Sequence, residues 1–359
     1  MQPERKGTYA KVVLVRKIQD GELYAMKILK KKHIKDNKQA ERLFAEKEIL
    51  IKCDHPFIIK MKWCFQNSEK LYFVLDFVQG GELFNLIVKF QRFSEEVCKF
   101  YSAQMVLAIQ YMHENGIIYR DLKPENVLID RQGYIRITDF GLSKKNIRRQ
   151  NEAFSIAGTP EYLAPEILVK SGHGKAVDYW ALGCILYEMY TGDPPFMMQQ
   201  TDSEMADRQT MFDKIKNQQI QLPKKCSPEF KDLLLGLFDK NPEKRLGIDP
   251  QKGDIKNHPW YSKCDWENLL KKQVRAPWVP KIKSADDTNH FDDCITKNDI
   301  NSIQENSLSL QDQENIPGFT WNHHDMSPGT QSPKNEQVNQ GQQELKMEEE
   351  FGNDQMDQE

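Results

Sequence analysis

Two periodicities divide the chain. From Gly7 to Val15 a turn runs into a β-branched stretch. Leu23–Lys27 and Leu71–Leu75 repeat the apolar, β-branched and aromatic composition of strands. Between the last two, Lys38 to Ile51 places Leu43, Glu46, Ile49 and Leu50 near one face at the 3.6-residue period, which predicts a helix. Gly80-Gly81 then permits a tight reversal. Beyond it, Ser94 to Glu114, with Phe100, Met105, Leu107, Ile109 and Tyr111 apolar, predicts a core helix of a larger helical part. Val127 to Thr138 reads as a β-ribbon. The Met/Gln/Asp-rich stretch between Phe196 and Phe212 reads as an exposed loop. From Met326 onward Gln, Asn, Glu and Pro dominate. That tail, acidic around Glu348-Glu349-Glu350, buries too little apolar surface to order itself.

Composition narrows the class without naming it. The 359 residues are 39% hydrophobic and 29% charged, which suits one large bilobal domain or two domains. A formal net charge of -3 offers no global basic field for nucleic acid. The seven cysteines form no CxxC pair, as expected of reduced thiols in the cytosol. No run has the length of a membrane span, and the first residues contain no apolar leader. The lysines between Lys30 and Lys38 read as a solvated face, with a nuclear-import patch as the second reading.

The chemistry concentrates in Tyr119-Arg120-Asp121-Leu122-Lys123-Pro124-Glu125-Asn126, followed thirteen residues after Asn126 by Asp139-Phe140-Gly141. Together the two stretches resemble the catalytic and magnesium-binding loops of eukaryotic protein kinases. The reaction that this resemblance implies, phosphoryl transfer from ATP, leaves little covalent work for a protein, so positioning and charge neutralisation dominate. A carboxylate is needed to receive or orient the acceptor hydroxyl's proton, a cation to offset charge on the transferred group, and oxygen ligands to hold magnesium. The two stretches supply each of these.

The resemblance implies an α+β bilobal protein-kinase fold. A small antiparallel β lobe carries a regulatory helix, a large lobe is mainly α, and ATP lies between them. It assigns Asp121 and Lys123 to catalysis, and Asn126 and Asp139 to magnesium. Lys27 resembles the lysine that holds the ATP α- and β-phosphates, and Glu46, 19 residues later, its ion-pair partner. Asp76 and Val78 fall at the adenine hinge, and Val12, Ala25, Leu128 and Thr138 at the adenine lining. Gly7 and Ala10 occupy the second and third positions of the phosphate loop. There the sequence departs from the pattern: Arg5 stands where the first glycine belongs, Glu4 where an apolar cover belongs, and no first strand precedes them. That departure keeps a non-catalytic pseudokinase scaffold as the rival reading. Phosphorylation of a small molecule is disfavoured by the peptide-site features.

Ala157-Gly-Thr-Pro-Glu-Tyr-Leu-Ala-Pro-Glu166 ends an activation segment of the AGC-group type. Ser155 matches its phosphorylated residue, with Arg120 the phosphate's partner and Lys144 assisting. Thr159 is expected to bond Asp121 and Lys123, Glu166 to pair with Arg245, and Asp178 to brace the catalytic loop. Leu142 favours serine as acceptor. Glu82, Glu125 and Glu188 match acids that basophilic relatives use for substrate arginines. Three regions follow from the resemblance: a catalytic domain over 1–261, an AGC C-terminal extension over 262–324 and the tail over 325–359. In the extension, Ala276-Pro-Trp-Val-Pro280 runs extended, and Phe291-Asp292 folds over the nucleotide cleft. Ile316-Pro-Gly-Phe319-Thr320-Trp321 resembles the hydrophobic motif, with Ile316 replacing the usual Phe and Thr320 phosphorylatable. Ser302 or Ser307 stands as turn-motif site. Lys170–Asp178 and the hydrophobic motif point to the Akt, SGK and ribosomal-protein-kinase branch. The implied protein is a monomeric cytosolic serine/threonine kinase in signalling. It would use ATP and Mg2+ on arginine-containing protein substrates, under upstream activating kinases.

Overall fold

The computed structural model describes residues 10–34, 37–147, 152–153, 155, 157–197, 204–249, 251–291 and 316–323. Glu4, Arg5, Gly7, Asp292, Ser302, Ser307 and the 325–359 tail lie outside the described residues.

Strands β1 (Ala10–Arg16), β2 (Leu23–Lys30), β3 (Met61–Gln66) and β4 (Lys70–Asp76) form an antiparallel sheet with helix α1 (Asn37–Lys52) inserted between β2 and β3. Alternation makes the sheet two-faced. Leu71, Phe73 and Leu75 of β4 face inward with Ile49 and Leu50 of α1, while Tyr24, Met26 and Val74 form a separate cluster on the other face. Helices α2 (Leu83–Phe90) and α3 (Glu95–Glu114) open the second lobe. Ser94 caps α3 by accepting the Val97 N–H, and Glu95 and Glu96 sit at its positive end.

A two-stranded ribbon, β5 (Val127–Ile129) and β6 (Ile135–Ile137), carries the catalytic loop on one side and Asp139 on the other. Helices α4 (Pro165–Leu168), α5 (Ala176–Thr191), α6 (Glu204–Asn217), α7 (Pro228–Leu237) and α8 (Trp266–Leu270) complete the large lobe. Helix α5 is buried around nearly its whole circumference, so it forms the centre against which α3 and α7 pack.

The stretch expected as an exposed loop between Phe196 and Phe212 differs. Its second half belongs to α6, because Met211 and Ile215, one helical turn apart, are fully buried.

After α8 the chain runs without helix back to the junction of the lobes. Lys272 pairs with Asp130 at 2.6 Å, the Tyr134 hydroxyl donates to Val274 O, and Gln79 donates to Ser284 O and Ala285 O at 3.1 and 2.8 Å. Gly81, at φ +79°, makes the approach possible: a Cβ there would stand 2.3 Å from His290 O. Strand β7 (Trp321–Asn322) then joins β3 antiparallel and completes a five-stranded sheet of order β1-β2-β4-β3-β7.

Candidate active site

The cleft lies between the sheet and the β5–β6 ribbon. From above, Lys27 on β2 points into it. Its ammonium is 2.7 Å from Glu46 of α1 and 3.2 Å from Asp139 of the large lobe. Burial disfavours the charge on Lys27, but these two carboxylates outweigh it and hold its pKa above the ordinary lysine value. Burial likewise opposes ionisation of Asp139, yet Lys27 and the Gly141 N–H keep it below the usual carboxylate range. Both groups are therefore charged at neutral pH.

From below, Asp121 is held on both oxygens. Oδ2 accepts from Asn126 Nδ2 at 2.8 Å and lies 3.2 Å from Lys123 Nζ; Oδ1 accepts from Thr159 Oγ1 at 3.2 Å. Lys123 Nζ also reaches Thr159 Oγ1 at 2.7 Å. Asn126 directs a second hydrogen bond from the same nitrogen to Asp121 O, at 2.8 Å, which turns its amide oxygen away from Asp121. An amide oxygen and the Asp139 carboxylate are the hard donors that magnesium takes, so the residues fit that ion.

The loop is braced from beneath by Asp178 of α5. Its carboxylate accepts the Tyr119 N–H at 2.9 Å and the Arg120 N–H at 2.8 Å, and contacts His113 Nε2 at 2.8 Å. Arg120, held at φ +69°, directs its guanidinium to Leu142 O at 2.7 Å and Ser155 Oγ at 2.9 Å. Lys144 Nζ donates to Glu152 O at 3.2 Å. Glu166 and Arg245 form a fully buried bidentate pair at 2.6 and 2.9 Å.

The remaining sequence-derived positions fall around this centre. Val78, two residues beyond β4, is buried. The Asp76 N–H donates to Lys60 O at 3.0 Å. Ala25 pairs with Leu75, and Val12 with Lys27, while Val12 remains 51% exposed. Leu128 and Thr138 are half-buried beneath them. Ala10 opens β1 opposite Leu29. Glu125 and Glu188 lie close enough to interact electrostatically, whereas Glu82 stands at the start of α2, paired in register with Leu128. Glu188 is buried and accepts from the Tyr162 hydroxyl at 2.5 Å. Burial, with Glu125 adding its own charge, raises its pKa to about 7 despite that hydrogen bond.

At the far side of α1, Phe319 is 1% exposed, wedged edge-on against Phe44 and Phe73. Gln66 pairs with the Ile316 backbone in both directions, at 2.7 and 2.8 Å, and Cys64 Sγ donates to Phe319 O at 3.0 Å. Thr320 is exposed. Gln66, Cys64, Lys47 and Tyr162 were not singled out by sequence reasoning. Gln66 and Lys47 read as ordinary polar surface, and only the folded tail shows what they face.

A β lobe with a lysine–glutamate pair over a helical lobe with a braced carboxylate defines the bilobal kinase architecture. The family model described as protein kinase domain matches residues 6–261. The RAC family serine/threonine-protein kinase homolog of Dictyostelium discoideum is 43% identical over 319 residues, covering 88% of this chain and 70% of that protein. Serine/threonine-protein kinase sgk-1 of Caenorhabditis elegans is 44% identical over 287 residues, 80% of this chain and 60% of that protein. Serine/threonine-protein kinase Sgk2 of Mus musculus is 43% identical over 293 residues, 81% and 78% respectively. The chain belongs to the protein kinase family, as a serine/threonine kinase of the AGC group. Among the described residues, no helix is long and apolar enough to cross a membrane.

Proposed function

We propose that this kinase transfers the ATP γ-phosphoryl group to serine, or threonine, in arginine-containing protein substrates, and that upstream kinases activate it through Ser155 and Thr320. The observation that carries the transfer is the Asp121 carboxylate, fixed on both oxygens by Asn126, Lys123 and Thr159. Asp121 receives the acceptor hydroxyl's proton, Lys123 offsets charge on the moving phosphoryl group, and Lys27, held by Glu46, positions the α- and β-phosphates. Asn126 and Asp139 would hold magnesium, which would supply neutralisation of the phosphate charge. Asp76 and Val78 offer backbone groups to adenine, with Val12, Ala25, Leu128 and Thr138 lining the ring; Gly7 and Ala10 belong to the phosphate loop. The intact catalytic set speaks against a pseudokinase scaffold.

Glu82, Glu125 and Glu188 read substrate arginines, chiefly those two and three residues before the acceptor serine. The raised pKa of Glu188 makes this testable. An arriving guanidinium favours the ionised carboxylate, which is about a tenth populated at pH 6 and nine-tenths at pH 8. KM for an arginine-containing peptide should therefore fall by up to about tenfold between those values, and Glu188→Gln should flatten the profile. A peptide array without basic preference, or an unchanged profile in the variant, would contradict the assignment. The linkage to stability has the opposite sense. A carboxyl whose folded pKa is raised contributes most below its ordinary value of 4.5, and loses that contribution as pH climbs through 7.

The Arg120–Ser155 contact supports the loop phosphosite. A phosphate adds about −1.5 to −2 charges beside that guanidinium. Ser155→Ala should lower the turnover of otherwise activated enzyme by at least about tenfold, the worth of one lost charge-assisted hydrogen bond. A steady-state assay returning wild-type turnover would remove Ser155 from the activation scheme.

A further inference from the structure

Three consecutive side chains on α1 engage three different parts of the molecule. Successive helical positions point about 100° apart, so neighbours cannot share a target. Glu46 takes Lys27 on β2. Lys47 donates to Gly318 O in the docked tail and lies 5.9 Å from the centre of the Phe319 ring. Glu48 forms an ion pair with Lys145, four residues beyond Gly141. The first contact completes the nucleotide lysine and the second belongs to the tail. The third has no part in the function described so far.

We propose that Glu48–Lys145 is a positioning pair that holds α1 in its productive place independently of Ser155. The argument rests on what fixes Lys145. Lys144 exchanges both backbone hydrogen bonds with Ile118, each 2.9 Å, and the Ile147 N–H donates to Gly116 O at 2.9 Å. Ile118, Ile147 and Ala153 bury their side chains together beneath this segment. The backbone on either side of Lys145 is thus tied to the strip of large lobe leading into the catalytic loop. From that fixed post the lysine reaches the small-lobe helix. An outward swing of α1 that separates Glu46 from Lys27 also separates Glu48 from Lys145. The pair therefore adds its free energy to the productive state and none to the displaced one, which is the condition for biasing an equilibrium. Arg120 and Ser155 take no part in the contact, so the bias operates before any phosphate is added.

Both side chains are partly exposed, at 35% for Lys145 and 42% for Glu48. Such a pair trims an equilibrium rather than dictating it. Its effect is felt where α1 is least restrained, in the unphosphorylated enzyme.

This inference rests on the proposed phosphotransfer, and charge reversal separates the two. Wild type, Glu48→Lys, Lys145→Glu and the double exchange are compared in the full chain, each with Ser155→Ala to withhold the loop phosphate. The measurements are KM for ATP, kcat on an arginine-containing peptide, and melting temperature. Each single reversal should lower kcat/KM for ATP by about fivefold, the scale of one exposed pair, at unchanged melting temperature. The double exchange should recover the parental value. If the exchange stays as impaired as the singles, or the singles match the parent, the pair does not position α1. If Ser155→Ala alone is inactive, the dissociation constant for ATP, measured by direct binding to the same four unphosphorylated proteins, gives the same comparison. Wild type that transfers no phosphate at all would instead overturn the proposed function.

Discussion

Asp121→Asn is expected to lower kcat by about 10²- to 10⁴-fold, the usual worth of a positioned general base. Nucleotide affinity should stay near that of the wild type. The amide keeps the shape of the carboxylate and can still meet Thr159 and Asn126, so the loop retains its course. It cannot accept the acceptor hydroxyl's proton. Peptide phosphorylation and nucleotide binding measured on one preparation separate these terms. A variant that turns over like wild type would show that Asp121 does no chemistry. A variant that no longer binds nucleotide would show instead that the substitution damages the cleft.

Phe319→Ala should produce the second large effect. The ring is buried against Phe44 of α1 and Phe73 of β4, and removing such a side chain from a packed site costs about 3–5 kcal/mol. A segment of eight described residues, 316–323, held by two register pairs on β3, the Gln66 clamp and this anchor, cannot absorb that loss. The tail should leave its groove. The β3 backbone amide that faces β7 would then exchange with deuterium faster, and α1 would lose the Lys47–Gly318 contact. If docking supports catalysis, turnover falls in parallel, and deletion of 310–325 reproduces the result. Undiminished activity with an undocked tail would cut the tail out of the mechanism.

The candidate site was legible because the residues that meet in it are contiguous and chemically distinctive. Tyr119 to Asn126 and Asp139 to Gly141 each lie within a few positions, and the Lys27–Glu46 spacing follows from one strand and one helix. Sheet and helices were legible where the periodicity ran long, as in α1 and α3. Helix α6 was missed because two buried residues, Met211 and Ile215, are diluted among charged neighbours. The roles of Lys47, Glu48 and Gln66 were hidden for a different reason. A charged or polar residue on a helix or strand looks the same whether it faces water or a segment hundreds of positions away. Lys47 and Gly318 are 271 residues apart, and no local pattern encodes that meeting. Strand β7 is two residues long and appears only because β3 presents an edge to it.

That edge has a consequence of its own. An uncovered strand offers rows of unpaired donors and acceptors to any other extended chain. While Trp321 and Asn322 lie along Trp63 and Cys64, that side of the sheet is capped. A molecule whose tail has come away bares both an apolar groove and a templating border. A variant whose tail is released from its groove, such as Phe319→Ala, should therefore also self-associate more readily than the wild type.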